Sequence, residues 1–169
     1  RNANLWRISD DFWDSWPALY EQFARLKNWN PHRGPGFWPD ADMLPLGTLR
    51  MWTGGEKTKF TRDEQITMMT LWSIARSPLM IGGQMPLNDA FTESMITCGE
   101  VLKVNQASSN NRQLFRQGDQ VAWVADVPGS HDKYLAIFNA RDQRFLDEGR
   151  AAFKSQVVSR STPGHAVEI

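Results

Sequence analysis

Two clusters of acids are the residues best placed to do chemistry. One is Arg7-Ile8-Ser9-Asp10-Asp11, with Asp14 three residues further on, and the other is Asp40-Ala41-Asp42-Met43. Each closes a short, part-apolar run. Carboxylates on neighbouring strand ends suit sugar chemistry, because a glycosidic oxygen must be protonated as its bond breaks. Arg7 lies four residues before Asp11, close enough to share a ligand with it. The same acids have a plainer reading, since Asp10, Asp11 or Asp14 ahead of a helix can serve as its N-cap. Spacing alone leaves capping and catalysis both open.

Other reactive types offer less. His32, His131 and His165 have no metal-ligand spacing, so neither a metal nor another cofactor is expected. Cys98 stands alone on an apolar stretch and reads as a small buried hydrophobe rather than a thiol nucleophile. A single cysteine makes no internal disulfide and does not fix the redox compartment. The compartment stays open, with a secreted or periplasmic location preferred. Eight tryptophans are many for 169 residues. Their flat faces suit sugar rings and also fill cores, and Trp38 is a candidate for either role.

The elements that must hold the acids alternate in type. A strand over Asn4–Ile8 precedes a helix whose face is Phe12, Trp16, Leu19, Phe23 and Leu26, with Pro17 tolerable in its first turn. A second strand is expected over Trp38–Leu44, then a loop holding Gly54-Gly55. Thr61 to Glu64 has the form of a capping box opening a helix that Pro78 stops. Leu79–Ile81 fits a buried parallel strand. Asn88 or Asp89 caps a further helix, broken near Gly99 and resumed to Val104. Strand–helix alternation calls for a parallel sheet, at whose C-terminal strand ends catalytic groups sit in barrels.

Near residue 106 the pattern changes. A polar stretch over 106–112 reads as a linker. Beyond it, Gln120–Val127, Lys133–Asn139, Ala152–Ser159 and His165–Ile169 are short β-rich runs punctuated by Gly118-Asp119, Pro128-Gly129 and Pro163-Gly164, which predicts antiparallel sheet. Net charge is zero with no basic stripe, so nucleic acid is not an expected partner. No apolar run approaches the length of a membrane span, so neither is a bilayer. The chain opens on Arg1 with no initiator Met and no leader, and reads as a piece of something longer.

Seven ordered motifs carry a resemblance. They are Trp6-Arg7-Ile8-Ser9-Asp10-Asp11-Phe12-Trp13-Asp14-Ser15-Trp16, Gly34-Pro35-Gly36-Phe37-Trp38-Pro39-Asp40-Ala41-Asp42-Met43-Leu44, Thr61-Arg62-Asp63-Glu64-Gln65, Leu71-Trp72-Ser73-Ile74, Ser77-Pro78-Leu79-Met80-Ile81-Gly82, Glu100-Val101-Leu102-Lys103-Val104-Asn105-Gln106 and Leu114-Phe115-Arg116-Gln117-Gly118-Asp119. In these the chain resembles glycoside hydrolase family 27, the α-galactosidases and α-N-acetylgalactosaminidases. The resemblance implies an α/β fold: residues 1–105 as strands six to eight, with helices, of a (β/α)8 TIM barrel, and 113–169 as an incomplete, sandwich-like antiparallel β domain.

It also implies retaining hydrolysis of terminal α-galactosides by double displacement. Asp11 falls on the family's general acid/base and Arg7 on its substrate-binding arginine. Asp42 and Met43 fall on the Asp-Met pair lining the pocket. Trp38 is added as a substrate-binding candidate, Asp40 as a structural partner, and Asp10 as a cap or support. Where the family often reads Asn-Asp-Pro-Asp-Met, this chain has Pro39-Asp40-Ala41-Asp42-Met43, with both acids in place.

The family's nucleophile lies on strand four, upstream of these motifs. The chain is therefore expected to be inactive without the missing N-terminal half of the barrel, and to fold poorly with its strand edge open. A narrower alternative changes the sugar to N-acetylgalactosamine or β-L-arabinopyranose. A broader one is a non-catalytic carbohydrate-binding relative.

Overall fold

In a computed structural model, residues 3–141 of the chain are described. Strand β1 (Leu5–Arg7) pairs in parallel with β2 (Trp38–Asp40), Leu5 opposite Trp38 and Arg7 opposite Asp40. Helix α1 (Trp16–Trp29) connects them and buries Trp16, Leu19, Phe23 and Leu26 on the apolar face expected from the sequence. Phe12 precedes the helix, yet is buried against Phe60 and Trp72.

The third expected strand is reduced to one parallel bridge, Leu44 with Ile81. There the Leu44 amide donates to Met80 O at 2.7 Å and the Gly82 amide to Leu44 O at 2.9 Å. The second strand ends early because Asp42 takes a left-handed conformation, φ 79°, which breaks the extended run after Asp40. All three segments are parallel where they pair, as the alternation predicted.

The loop beyond Asp42 forms a two-residue ladder between β3 (Thr48–Leu49) and β4 (Glu56–Lys57). Helix α2 (Arg62–Ala75) opens on the full capping box, with Thr61 Oγ1 accepting from the Glu64 amide and Glu64 accepting from the Thr61 amide. Asp89 caps α3 (Ala90–Ile96), its carboxylate accepting from the Thr92 amide. Cys98 is the residue before α4 (Gly99–Ala107) and is half-buried, so the fully buried helix position expected for it is not observed.

The polar stretch 106–112 is no free linker: it is the end of α4 followed by the start of β5 (Ser109–Gln117). Buried hydrogen bonding orders it. Asn111 donates to Ile74 O and to Ser108 Oγ, both at 2.7 Å, and accepts from Arg33 at 2.9 Å. Strand β5 pairs antiparallel with β6 (Gln120–Asp126), and β6 with β7 (Lys133–Asn139). One face of this sheet carries Val121, Trp123, Ala136 and Phe138 into the common core, where Phe138 meets Phe23 of α1 edge-on at 5.1 Å. The expected runs Ala152–Ser159 and His165–Ile169 lie outside the described residues. Among those residues, no helix is long and apolar enough to cross a membrane.

Arg76 ties the two parts together. It sits in left-handed conformation just past α2 and donates to the carbonyls of Asn105, Gln106 and Ser108 at the C-terminal end of α4. A cation there complements the helix dipole as well as the open carbonyls. Replacing the guanidinium by an apolar chain, Arg76→Met, should cost about 3 kcal/mol, the order expected when carbonyls lose charged donors. Urea unfolding checks this: the midpoint should fall with unchanged slope, and an unmoved midpoint would deny Arg76 this role.

Candidate active site

The site is built where β1 and β2 end. Arg7 is the last residue of β1, and the amide of Ile8 donates to Asp40 O at 3.0 Å, keeping the two strand ends abreast. Asp40 is buried, and its Oδ1 accepts from the Asp42 amide at 2.9 Å. This side-chain turn over the next two residues stabilises the left-handed conformation of Asp42. Trp72 of α2 donates through Nε1 to Asp42 O at 3.0 Å and holds the turn from behind. Burial pushes the Asp40 carboxyl above its ordinary value, and the charge of Asp42 adds to that, against the Asp42 amide and Arg7. Asp40 thus supports the turn that carries Asp42.

Asp42 thereby faces the first strand. Its Oδ2 lies 2.8 Å from the Arg7 guanidinium and accepts from the Phe12 amide at 2.7 Å. Arg7 also reaches Asp11 Oδ1 at 3.5 Å. One guanidinium thus brings together Asp11 and Asp42, two of the acids singled out in the sequence. They differ in setting: the Asp42 side chain is 15% exposed, whereas that of Asp11 is 83% exposed. Ser9 accepts from Gln22 of α1 at 3.0 Å, which fastens the loop between them to the helix.

Met43 is half-buried and leans on the third parallel segment. A Cβ on Gly82 would run into the Met43 side chain, so any larger residue there would displace it. Trp38 is not brought to the acids. It begins β2, at the other end from Asp42, and its ring lies 5.1 Å beneath the guanidinium of Arg76. Asp10 is exposed and caps nothing: Ser15 is the N-cap of α1 and makes no side-chain cap bond. His32 packs on Trp29, His131 is exposed, and His165 lies outside the described residues. No group of three or more metal-ligating side chains occurs among the described residues.

Asp14, one of the possible caps, has another use. Its side chain is 1% exposed and grips Arg50 from the loop after β2 in a two-pronged ion pair, while accepting from the Lys59 amide at 2.7 Å. Sequence reasoning missed Arg50. No periodic or motif signal marks it, and it pairs with Asp14 across 36 positions.

Residues 1–107 match the family model described as alpha galactosidase A. The chain belongs to glycoside hydrolase family 27. Among solved family 27 structures, a β-L-arabinopyranosidase from Geobacillus stearothermophilus is 48% identical with a TM-score of 0.77, over 82% of this chain and 33% of that one. A putative α-N-acetylgalactosaminidase from Bacillus halodurans is 46% identical with a TM-score of 0.74, over 80% of this chain and 34% of that one. An α-galactosidase of Oryza sativa is 31% identical over 137 residues, covering 81% of this chain and 31% of its own length. The chain therefore spans about a third of the length of these family 27 relatives.

The Asp14–Arg50 pair has a pH signature. Burial favours neutral Asp14, but the Arg50 hydrogen bond, the Lys59 amide and the charge of Arg50 together outweigh it and hold the carboxyl below its usual 3.8. A carboxyl depressed in the folded state stabilises fully above its unfolded pKa, and that contribution is lost as pH falls through the folded value. Asp14→Asn should cost about 3 kcal/mol near pH 7, the order found when a buried pair loses one partner. The gap to wild type should close below about pH 4. Thermal unfolding across pH 7 to 3 checks it, and a gap that stays constant refutes the assignment.

Proposed function

We propose that this chain carries the acid/base part of a retaining glycosidase site for terminal α-galactosides. The observation that carries the reading is Arg7, whose guanidinium joins Asp11 and Asp42 from the ends of two adjacent parallel strands. Parallel strand ends are where barrel enzymes keep their chemistry. Residues 1–105 are then strands six to eight of a (β/α)8 barrel with their helices, and 113–169 belong to a sandwich-like C-terminal domain. The outward face of the β5–β7 sheet supports that domain reading: Phe115, Leu135 and Ile137 lie exposed on it, in register with Ala122 and Val124. A second sheet would cover such a face.

In the first step Asp11 gives its proton to the glycosidic oxygen while a carboxylate attacks the anomeric carbon. In the second, Asp11 takes a proton from the water that displaces that carboxylate. Arg7, held on one side by Asp42, presents its remaining N–H groups to a sugar hydroxyl beside Asp11. Asp40 and Asp14 are buried in hydrogen bonds, and Asp42 is tied to Arg7 and the Phe12 amide. None is free to attack. The nucleophile, about 5 Å from the acid/base in retaining enzymes, comes from a segment outside these 169 residues.

A second reading changes the sugar. The β-L-arabinopyranosidase from Geobacillus stearothermophilus is 48% identical, above the 31% of the Oryza sativa α-galactosidase. L-Arabinopyranose has the ring configuration of galactose without its hydroxymethyl group, so the same acid/base geometry serves both. Turnover of paired aryl α-D-galactoside and aryl β-L-arabinopyranoside by the full-length protein decides between them. The 169-residue chain alone should hydrolyse neither.

In the full-length protein, Asp11→Ala should lower turnover of a poor leaving group by ~10²–10⁴, the usual worth of general acid catalysis. An activated aryl leaving group needs no proton and should lose less, and azide should partly rescue the second step. Asp10→Ala should leave both rates within about twofold, as its exposed, uncapping position suggests. Loss of activity in Asp10→Ala with full activity in Asp11→Ala would exchange the two residues.

A further inference from the structure

Two tryptophans stand on the loops that follow β1 and β2. Trp13 is two residues past Asp11 and half-buried; Trp52 lies beyond β3 and is 74% exposed. Their rings meet edge to face, centroids 5.8 Å apart at 81°. Arg50 packs over the Trp13 ring at 5.1 Å while its other side is gripped by buried Asp14. Trp52 is thus an exposed ring on a stiff base. Its loop turns back at Gly54 and Gly55, with φ of 97° and 84°, and the Gly55 amide donates to Arg50 O at 3.2 Å. A Cβ at Gly55 would press on Thr48 and Met51 at 3.2 and 3.1 Å, so the turn tolerates little else.

A rigid indole left open to water stacks well on the C–H face of a pyranose. Exposed Thr53, Glu56 and Lys57, within five residues of it in the same loop, offer partners for the hydroxyls of a bound sugar. The side of the substrate that faces Asp11 is its leaving group, since that oxygen receives the proton.

We propose that Trp52, braced by Trp13 and Arg50, is the platform on which the leaving-group sugar of an oligosaccharide substrate stacks. The proposal rests on Asp11 being the acid/base. It assigns aglycone preference to the loop after β2 and gives Asp14 and Arg50 a positioning role beneath the platform.

The test uses the full-length protein with two substrates sharing one terminal sugar, a glycosyl fluoride and a disaccharide. Only the disaccharide has a ring to stack. Trp52→Ala should raise KM for the disaccharide about tenfold with kcat little changed, the pattern of lost uniform binding. Trp52→Phe should recover part of it, and the fluoride should show less than about a twofold change in either variant. An equal KM rise on both substrates, or none on either, overturns the platform. So does a change of oligomeric state in sedimentation of Trp52→Ala, which would make the ring a subunit contact. Wild-type protein that cleaves neither substrate would instead sink the glycosidase reading itself.

Discussion

Arg7 ends β1 directly opposite Asp40, and nearly everything at this site follows from that register. Side chains alternate faces along a strand, so a slip of one residue would turn the guanidinium away from the acids. With Arg7 opposite Asp40, the guanidinium meets Asp42 two positions on, provided the second strand turns back after Asp40. It does so because the Asp40 carboxylate accepts the Asp42 amide and Trp72 holds the Asp42 carbonyl. The Phe12 amide then donates to the same carboxylate oxygen that Arg7 contacts. Asp42 is consequently a knot between two loops, and Asp11, one residue before Phe12, takes its position from that knot.

Two polar ties brace the sheet from its two ends. At the end that carries Asp11 and Asp42, Asp14 and Arg50 clamp the loop after β1 to the loop after β2. At the far end, Arg76 and Asn111 fasten α2 to the end of α4 and the start of β5. These ties are buried or nearly so, which sets them apart from Arg25–Glu21 and Lys103–Glu100 on exposed helix faces, pairs that contribute little. Trp38 belongs to the far tie, stacked under Arg76. Sequence gave no reason to send its indole there, because the outcome depends on where Arg76 leaves α2 in a left-handed turn.

What sequence revealed and what it hid divide along the range of the interactions. The capping box at Thr61, the apolar face of α1 and a cap at Asn88 or Asp89 depend on neighbours within a few positions and could be read in advance, with Asp89 the residue that caps. The parallel order of the first two strands followed from strand–helix alternation. By contrast, Asp14 read as a helix cap because local spacing allowed it, whereas its partner Arg50 comes from another loop. The stretch 106–112 read as a linker because it is polar, but Asn111 spends that polarity on buried bonds to Ile74, Ser108 and Arg33. Polar residues that satisfy one another across long separations have no periodic signature. The assignment of Asp11 over Asp10 came from resemblance, and spacing alone could not have made it.

The contrast between Asp42 and Asp11 bears on how such a site divides its labour. Asp42 is mostly buried, and one of its oxygens is held by both Arg7 and the Phe12 amide, which suits it to fixing the guanidinium. Asp11 meets Arg7 only at 3.5 Å and is otherwise open, a setting that fits the acid/base role proposed for it. The loops around Asp11 carry their own aromatic ring at Trp52, while the attacking carboxylate is expected from other strands. On the proposed reading, one contiguous stretch, Arg7 to Lys59, would handle both the leaving-group side of the substrate and the proton that releases it. Changes confined to the loop around Trp52, away from Arg7 and Asp42, should then shift which aglycones are accepted with less effect on the terminal sugar.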